Sequence, residues 1–328
     1  MIFLQVFSGL LLLFLGGESI VRGAVEIAKK FNLSKALIAV TIVAYGTSSP
    51  ELLITLKSIL TDHNEIALGN VLGSNVANIL LVLGLASILC PINVNHDLVK
   101  FDMKYLIISS FALLFFILSG LIGRIEALIF LTILLVYTFS TLRRHNKSKE
   151  QARIEETEEF EGQLKFKFNT YTATVAFILG IIMLTMGSHL LVEGATKLAR
   201  EFNMSEAVIA VTIVAIGGSA PEIATSVIAA IRKHADIAIG NVIGSNLFNI
   251  LGVLGISSLI KPIHTSVYDI STETYTTTST LAIFDIWVVL FATLILYLFT
   301  RKKLLITRCN GIILLFFYGL YIAWQLLS

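Results

Sequence analysis

Two glutamates lie inside otherwise apolar stretches, each directly after a proline: Glu51 follows Pro50 and Glu222 follows Pro221. A carboxyl at membrane depth costs roughly 2.5 kcal/mol or more, and it usually marks an ion or proton path. Each proline lacks an N–H and clashes with the preceding turn. The carbonyls of Gly46 and Gly217, four residues back, therefore lose their helical partners and must find another donor or a cation. Ala44, Thr47 or Ser48, and Glu51 fall about one turn apart on one helical face, as a ladder of oxygens. Asn70, Ser74 and Asn78 recur at i, i+4 and i+8, and the same stripe returns as Asn241, Ser245 and Asn249.

A plain proline kink, or helix packing through small polar residues and the pairs Gly69/Gly73 and Gly240/Gly244, would account for parts of this pattern. Two glutamates at equivalent positions with the same neighbours favour an ion site. It would hold two carboxylates with hydroxyl, amide and carbonyl oxygens, and no His or Cys. Hard ligands imply hard cations. Calcium accepts 6–8 oxygens in adaptable geometry, magnesium demands a tighter octahedron, and transition metals favour nitrogen or sulfur. Two carboxylates neutralise one Ca2+, and the same oxygens could hold Na+ in its absence. Such competition is what an antiporter needs.

The surrounding chain has the composition such a site requires. Of 328 residues 56% are hydrophobic and 14% charged, with mean hydropathy +0.86, far from soluble averages of about 25% charged. Ten stretches are long enough to cross a bilayer as helices, near 2–22, 36–58, 66–89, 103–122, 124–142, 173–195, 207–230, 237–260, 279–300 and 310–327. The N-terminus lacks a basic leader region and a clear cleavage site, so the first stretch reads as helix one. Cys90 and Cys309 are too few for a disulfide framework.

An internal repeat organises these stretches. At an offset of 171, residues 9–92 align without a gap to 180–263, with 40 identities in 84 positions. Its strongest blocks are AVTIVAYGTSSPE (39–51) against AVTIVAIGGSAPE (210–222), and GNVLGSNVANILLVLG (69–84) against GNVIGSNLFNILGVLG (240–255). With five spans per half, the second half starts on the opposite side, so the repeats are inverted, an arrangement in which transporters place their sites between the halves. The expected fold is an all-α membrane protein of ten helices: repeat one at 1–142, a charge-mixed linker at 143–168 and repeat two at 169–328. If the N-terminus faces outward, alternate loops facing the cytoplasm hold 19 of the 24 Lys and Arg. That predicts a multi-pass cell-membrane protein with both termini extracytoplasmic and the linker cytoplasmic. The Thr-rich segment 271–280 reads as a polar external loop.

These motifs resemble the cation/calcium exchanger superfamily, of the bacterial and archaeal sodium/calcium exchanger type, whose two repeats read close to G-T-S-x-P-E and G-N-x-x-G-S-N-x-x-N. Here they are Gly46 to Glu51 with Gly69 to Asn78, and Gly217 to Glu222 with Gly240 to Asn249. The resemblance covers essentially the whole chain. It implies that helices two, three, seven and eight form the ion site while helices one and six slide across it. The implied metal ligands are Ala44, Thr47, Ser48, Glu51, Ser74 and Asn78, with Ala215, Gly218, Ser219, Glu222, Ser245 and Asn249. Two positions depart from the pattern. Gly218 stands where Thr is common and can offer only its carbonyl. Asn249 stands where some members carry Asp, which leaves both K+-dependent and K+-independent exchange open. Proton-coupled relatives tend to carry Glu in the third-helix motif, where this chain has Gly73 and Gly244; sodium coupling is therefore preferred, with a cation/proton antiporter as the alternative.

The resemblance implies no cofactor and no enzymatic activity. An intramembrane hydrolase using Ser48 or Ser219 would need an elbow motif, a nearby His or paired Asp, and the sequence has none of these in the repeats. The expected partners are transported Ca2+ and Na+, with K+ possible, and the lipid bilayer; no nucleic acid is expected, and the chain is expected to work as a monomer. Glu18 and its counterpart His189 differ from one another, which places them as interfacial or gating residues outside the ion site.

Overall fold

The computed structural model describes residues 2–31, 33–148, 170–202, 204, 209, 213, 215–269, 274–278 and 280–327. Long apolar helices follow one another: α1 (Ile2–Phe31), α2 (Lys35–Thr47), α3 (Ser49–Leu60), α4 (Asn64–Leu89), α5 (Leu98–Leu118), α6 (Arg124–Ser148) and α7 (Thr170–Glu201). Then come α8 (Ala215–Gly218), α9 (Ala220–Ile231), α10 (Ala235–Ile260), α11 (Thr280–Lys303) and α12 (Arg308–Leu327). Among the described residues, eight helices are long and apolar enough to cross a membrane, and the bent pair α2–α3 makes a ninth span. The first part of the expected stretch 207–230 lies mostly outside the described residues.

The duplication is visible in the backbone itself. α3 and α9, α4 and α10, and the strands β1 (Ile92–Asn93) and β3 (Ile263–His264) share boundaries to the residue at the offset of 171. So do π-helical turns at Ala77–Val82 and Phe248–Val253, and the left-handed residues Asp62 (φ 63°) and Lys233 (φ 61°). The breaks match as well: Ser48 sits at φ −89°, ψ 9° and Ser219 at φ −91°, ψ 8°, each directly before a helix that starts with proline in its first turn. Pro50 and Pro221 fit there because the first-turn N–H groups have no intrahelical partner.

Burial sorts the helices by role. In α4 and α10, 83% and 94% of the most apolar window is buried, so these two helices form the centre, with α2, α3 and α9 against them. α1, α6, α7 and α12 lie at the periphery with one face turned outward, where Phe3, Leu135, Ile178 and Phe316 are exposed. α1 packs antiparallel along α7 through glycines spaced by seven. A methyl group at Gly9, Gly16 or Gly23 would lie 2.9 Å from the carbonyl oxygen of Gly187, Gly180 or Ala173 respectively. Small residues in this register let two membrane helices meet backbone to backbone.

Short strand pairs join the halves at the loops. β1 pairs antiparallel with β6 (Leu305–Ile306), and β2 (Leu121–Ile122) with β3. Lys261 Nζ also reaches Asp62 Oδ1 at 2.6 Å, and that contact holds the Asp62 carboxyl below its usual range.

Three expectations need adjusting. α6 runs on to Ser148, so residues 143–148 of the expected linker continue a helix; 149–168 lie outside the described residues. Helix four starts at Leu98, five residues early, with one wide turn at Leu98–Asp102. The segment expected as a featureless Thr-rich loop contributes a strand. β4 (Ser266–Asp269) pairs with β5 (Thr274–Thr278), as β-branched Thr and aromatic Tyr side chains favour.

Candidate functional site

The two breaks face each other in the middle of the helical core. Ser48 separates α2 from α3, which bend by 43°; Ser219 separates α8 from α9. Glu51 and Glu222 stand in the first turns of α3 and α9, where the helix dipole favours an anion. Both are essentially sealed, at 2% and 0% exposure, and their carboxyl groups lie close enough to act directly on each other. Among the described residues, no Lys, Arg or His pairs with either.

Donors around the carboxyls are scarce. Ser48 Oγ donates to Glu222 Oε1 at 3.0 Å. Glu222 Oε2 and both Glu51 oxygens have no donor among the described residues, and neither have Oδ1 of Asn78 or of Asn249. Five buried acceptor atoms without a donor would destabilise an isolated fold by roughly 1–3 kcal/mol each. Oxygens are also the atoms that coordinate hard cations. No group of three or more His, Cys, Asp or Glu forms among the described residues, so ligands beyond the two carboxyls would be neutral oxygens.

A third set of contacts crosses between the repeats. Thr47 Oγ1 lies 3.2 Å from Asn241 Oδ1, 3.3 Å from the Ala44 carbonyl and 3.5 Å from Ser245 Oγ, and Ser245 Oγ lies 3.5 Å from the same carbonyl. Asn249 Nδ2 donates to Ser74 Oγ at 3.0 Å. Thus Ala44, Thr47, Ser48, Ser74, Glu222, Ser245 and Asn249 meet across the repeat interface, with Glu51 beside Glu222. Asn78 lies one turn along α4 from Ser74 and is fully buried. Ser219 is buried and Gly218 half-buried at the second break; Ala215 opens α8.

The carbonyls freed by the prolines have found hydroxyl donors. Ser49 Oγ donates to Gly46 O at 2.7 Å. In the second repeat position 220 is Ala, and Ser188 of α7 reaches across to Gly217 O at 2.6 Å instead. Sequence reasoning missed Ser188, and it also missed a matched pair of supports. Asn70 Nδ2 donates to Thr55 Oγ1 at 3.0 Å, and Asn241 Nδ2 donates to Ser226 Oγ at 3.0 Å. Thr55 and Ser226 obey the offset of 171 and sit one turn after each glutamate, a signal readable from sequence.

A second duplicated feature lies away from the site. Asp102 accepts from the Tyr137 hydroxyl at 2.9 Å, and Asp285 from that of Tyr321 at 3.1 Å, each joining the last two helices of its repeat. Glu18 is outside the site too. It pairs with Arg22 and, across the repeats, with Arg232. His189 is largely exposed, within 4.0 Å of Glu193.

The sodium/calcium exchanger protein family matches the chain over residues 1–143 and 172–327. The chain belongs to the sodium/calcium exchanger family. It is 30% identical to the sodium/calcium exchanger MaX1 of Methanosarcina acetivorans, over 98% of this chain and 97% of that one. It is 37% identical to the putative antiporter CaxA of Alkalimonas amylolytica, over 78% and 80%. A solved structure of the sodium-calcium exchanger NCX_Mj superimposes with a TM-score of 0.79 at 32% identity, covering 97% of this chain and 96% of that one. The fold is therefore the ten-helix inverted repeat of this exchanger family, and the protein is a multi-pass membrane transporter that exchanges cations with Ca2+.

Proposed function

We propose that the chain exchanges Na+ for Ca2+ by alternating access, at a site made of Ala44, Thr47, Ser48, Glu51, Ser74 and Asn78 from the first repeat and Ala215, Gly218, Ser219, Glu222, Ser245 and Asn249 from the second. The observation that carries the reading is the facing pair Glu51 and Glu222, buried, without a basic partner, and with three of four carboxylate oxygens lacking a donor among the described residues. A divalent cation cancels both charges at once. When it leaves, the site must take up compensating charge, because two bare carboxylates at this depth repel each other and cannot be solvated.

Neutral oxygens supply the rest. The triangle of Thr47 Oγ1, Ser245 Oγ and the Ala44 carbonyl has edges of 3.3 to 3.5 Å. Oxygens about 2.4 Å from a common ion and at right angles to one another are about 3.4 Å apart. The edges also exceed ordinary O–H···O distances of roughly 2.5–3.0 Å, so the triangle is shaped for a cation more than for its own hydrogen bonds. Na+ held there, and Ca2+ held between the carboxylates, would compete through shared charge. The pair α1 and α7, in contact with each other along their length, is the element we assign to slide across the site.

Two protons on the glutamates would serve the same electrostatic end, which is the H+/Ca2+ alternative. Gly73 and Gly244, where an added acid would support proton coupling, favour Na+. We further propose a cell-membrane location with both termini extracytoplasmic, a cytoplasmic linker and a monomeric working unit. Calcium flux in proteoliposomes with Na+, K+ and H+ gradients set independently tests the reading. Uptake driven by an outward Na+ gradient at clamped pH is expected; uptake that needs only a pH gradient would overturn it.

A further inference from the structure

We propose that Gly218 makes the two related oxygen niches of the site unequal and thereby sets the affinity for Na+. This rests on the Na+-coupled reading above. The offset of 171 relates Thr47, Ala44 and Ser245 to Gly218, Ala215 and Ser74. In the first niche, Thr47 contributes a hydroxyl oxygen. Its single proton is taken by Asn241 Oδ1 at 3.2 Å, the shortest of its contacts, so lone pairs remain for an ion.

The second niche has no such oxygen. Gly218 brings no side chain, and the counterpart of Asn241, Asn70, is only half-buried and donates to the Glu51 carbonyl and to Thr55. The remaining hydroxyl, on Ser74, is already engaged. It donates to Val71 O at 3.1 Å and accepts from Asn249 Nδ2 at 3.0 Å. The first niche therefore offers two hydroxyls and the Ala44 carbonyl, which also accepts the Ser48 N–H at 3.0 Å; the second lacks the hydroxyl at position 218, and one of the two lone pairs of Ser74 Oγ is already taken by Asn249. Among the described residues nothing in the packing demands this loss. There a Cβ built on Gly218 meets no atom within 4 Å, whereas one on the adjoining Gly217 would strike Val192.

A monovalent ion feels the missing ligand more than a divalent one does, because the two carboxylates dominate the binding of Ca2+ while neutral oxygens carry a larger share for Na+. Gly218→Thr should restore the oxygen. Gly218→Ala adds carbon without oxygen and is the reference against which Thr is read; Gly218→Ser serves if Thr does not fold.

The experiment measures Ca2+ release from proteoliposomes against external Na+, and the thermal stabilisation of purified protein by Na+ alone. Relative to Gly218→Ala, Gly218→Thr is expected to lower half-saturating Na+ by roughly three- to tenfold in both measurements, the range one neutral ligand implies. Half-saturating Ca2+ in Ca2+/Ca2+ exchange should differ less than twofold between the two. Equal Na+ dependence in the Thr and Ala variants would overturn the proposal, as would absence of Na+ stabilisation in both. If Na+ stabilises the Thr variant more strongly but no variant, nor the parent, couples Na+ to Ca2+, the exchange reading falls and the niche assignment stands.

Discussion

The hydroxyl of Ser48, at the break of the first repeat, donates to Oε1 of Glu222 in the second at 3.0 Å, while neither oxygen of Glu51 has a donor among the described residues. The duplicated glutamates therefore occupy different electrostatic settings. One is held by a bond that crosses the repeat interface; the other accepts no hydrogen bond among the described residues.

Replacing either glutamate should abolish exchange without unfolding the chain. Gln keeps the shape and removes a charge that is expensive to bury, so Glu51→Gln and Glu222→Gln are expected to unfold at or above the parent's temperature. Ser48→Ala should weaken Ca2+ half-saturation by only about three- to tenfold. Flux assays beside thermal unfolding in detergent decide this, and normal transport by both glutamine variants would sink the site.

The amide of Asn241 is bonded on both sides, accepting from Thr47 at 3.2 Å and donating to Ser226 at 3.0 Å in a fully buried setting. Asn241→Ala is expected to destabilise by about 1–3 kcal/mol, because it removes two buried hydrogen bonds and leaves Thr47 only its longer contacts to Ala44 O and Ser245. Asn70→Ala, at the half-buried counterpart, should cost less. Denaturation of the two variants side by side is the check, and equal losses would count against this asymmetry.

Glycines at different points of the two G-N-x-x-G motifs should tolerate a methyl group very differently. At Gly244 it would lie 2.5 Å from Val40 O and 2.6 Å from Val40 Cα, backbone atoms that cannot swing aside, whereas at Gly69 it meets nothing within 4 Å. Gly244→Ala is expected to lose about 1–3 kcal/mol through overpacking, and Gly69→Ala to stay within about 0.5 kcal/mol. Thermal unfolding of both proteins would show it.

His234, in the loop before α10, has its imidazole pushed down to about 4 by burial and by the nearby Lys35, Lys29 and Arg232 charges, with Glu18 acting weakly in the other direction. A free imidazole titrates near 6.5. Between these values the unfolded chain binds a proton that the folded chain does not, so this residue withdraws stability as pH falls from about 6.5 towards 4 and is silent above. His234→Gln should therefore shrink the drop in unfolding temperature between pH 8 and pH 5; an unchanged drop would refute the assignment.

The part of the fold that sequence reveals best is the part under the strictest rule. Lipid forces continuous apolar helices, and duplication writes each motif twice, so the spans, the inversion and Glu51 facing Glu222 were legible. What escaped were partners set by three-dimensional crossing. Ser188 donates to Gly217 because Ala220 lost the hydroxyl that Ser49 keeps, and Glu18 finds Arg232 on a distant helix end; neither spacing announces itself in the chain. Strand β5 is hidden in the sequence because its Thr-rich segment is as polar as a loop while its residues also favour a strand.

The small strand pairs at the loops have a consequence for how the molecule is made. The pairs β1–β6 and β2–β3 each tie a loop of one half to a loop of the other, while α1 of the first half is clasped along its length by α7 of the second. The halves are thus joined by interdigitation among the described residues. Neither half can therefore fold to its final shape without the other in place.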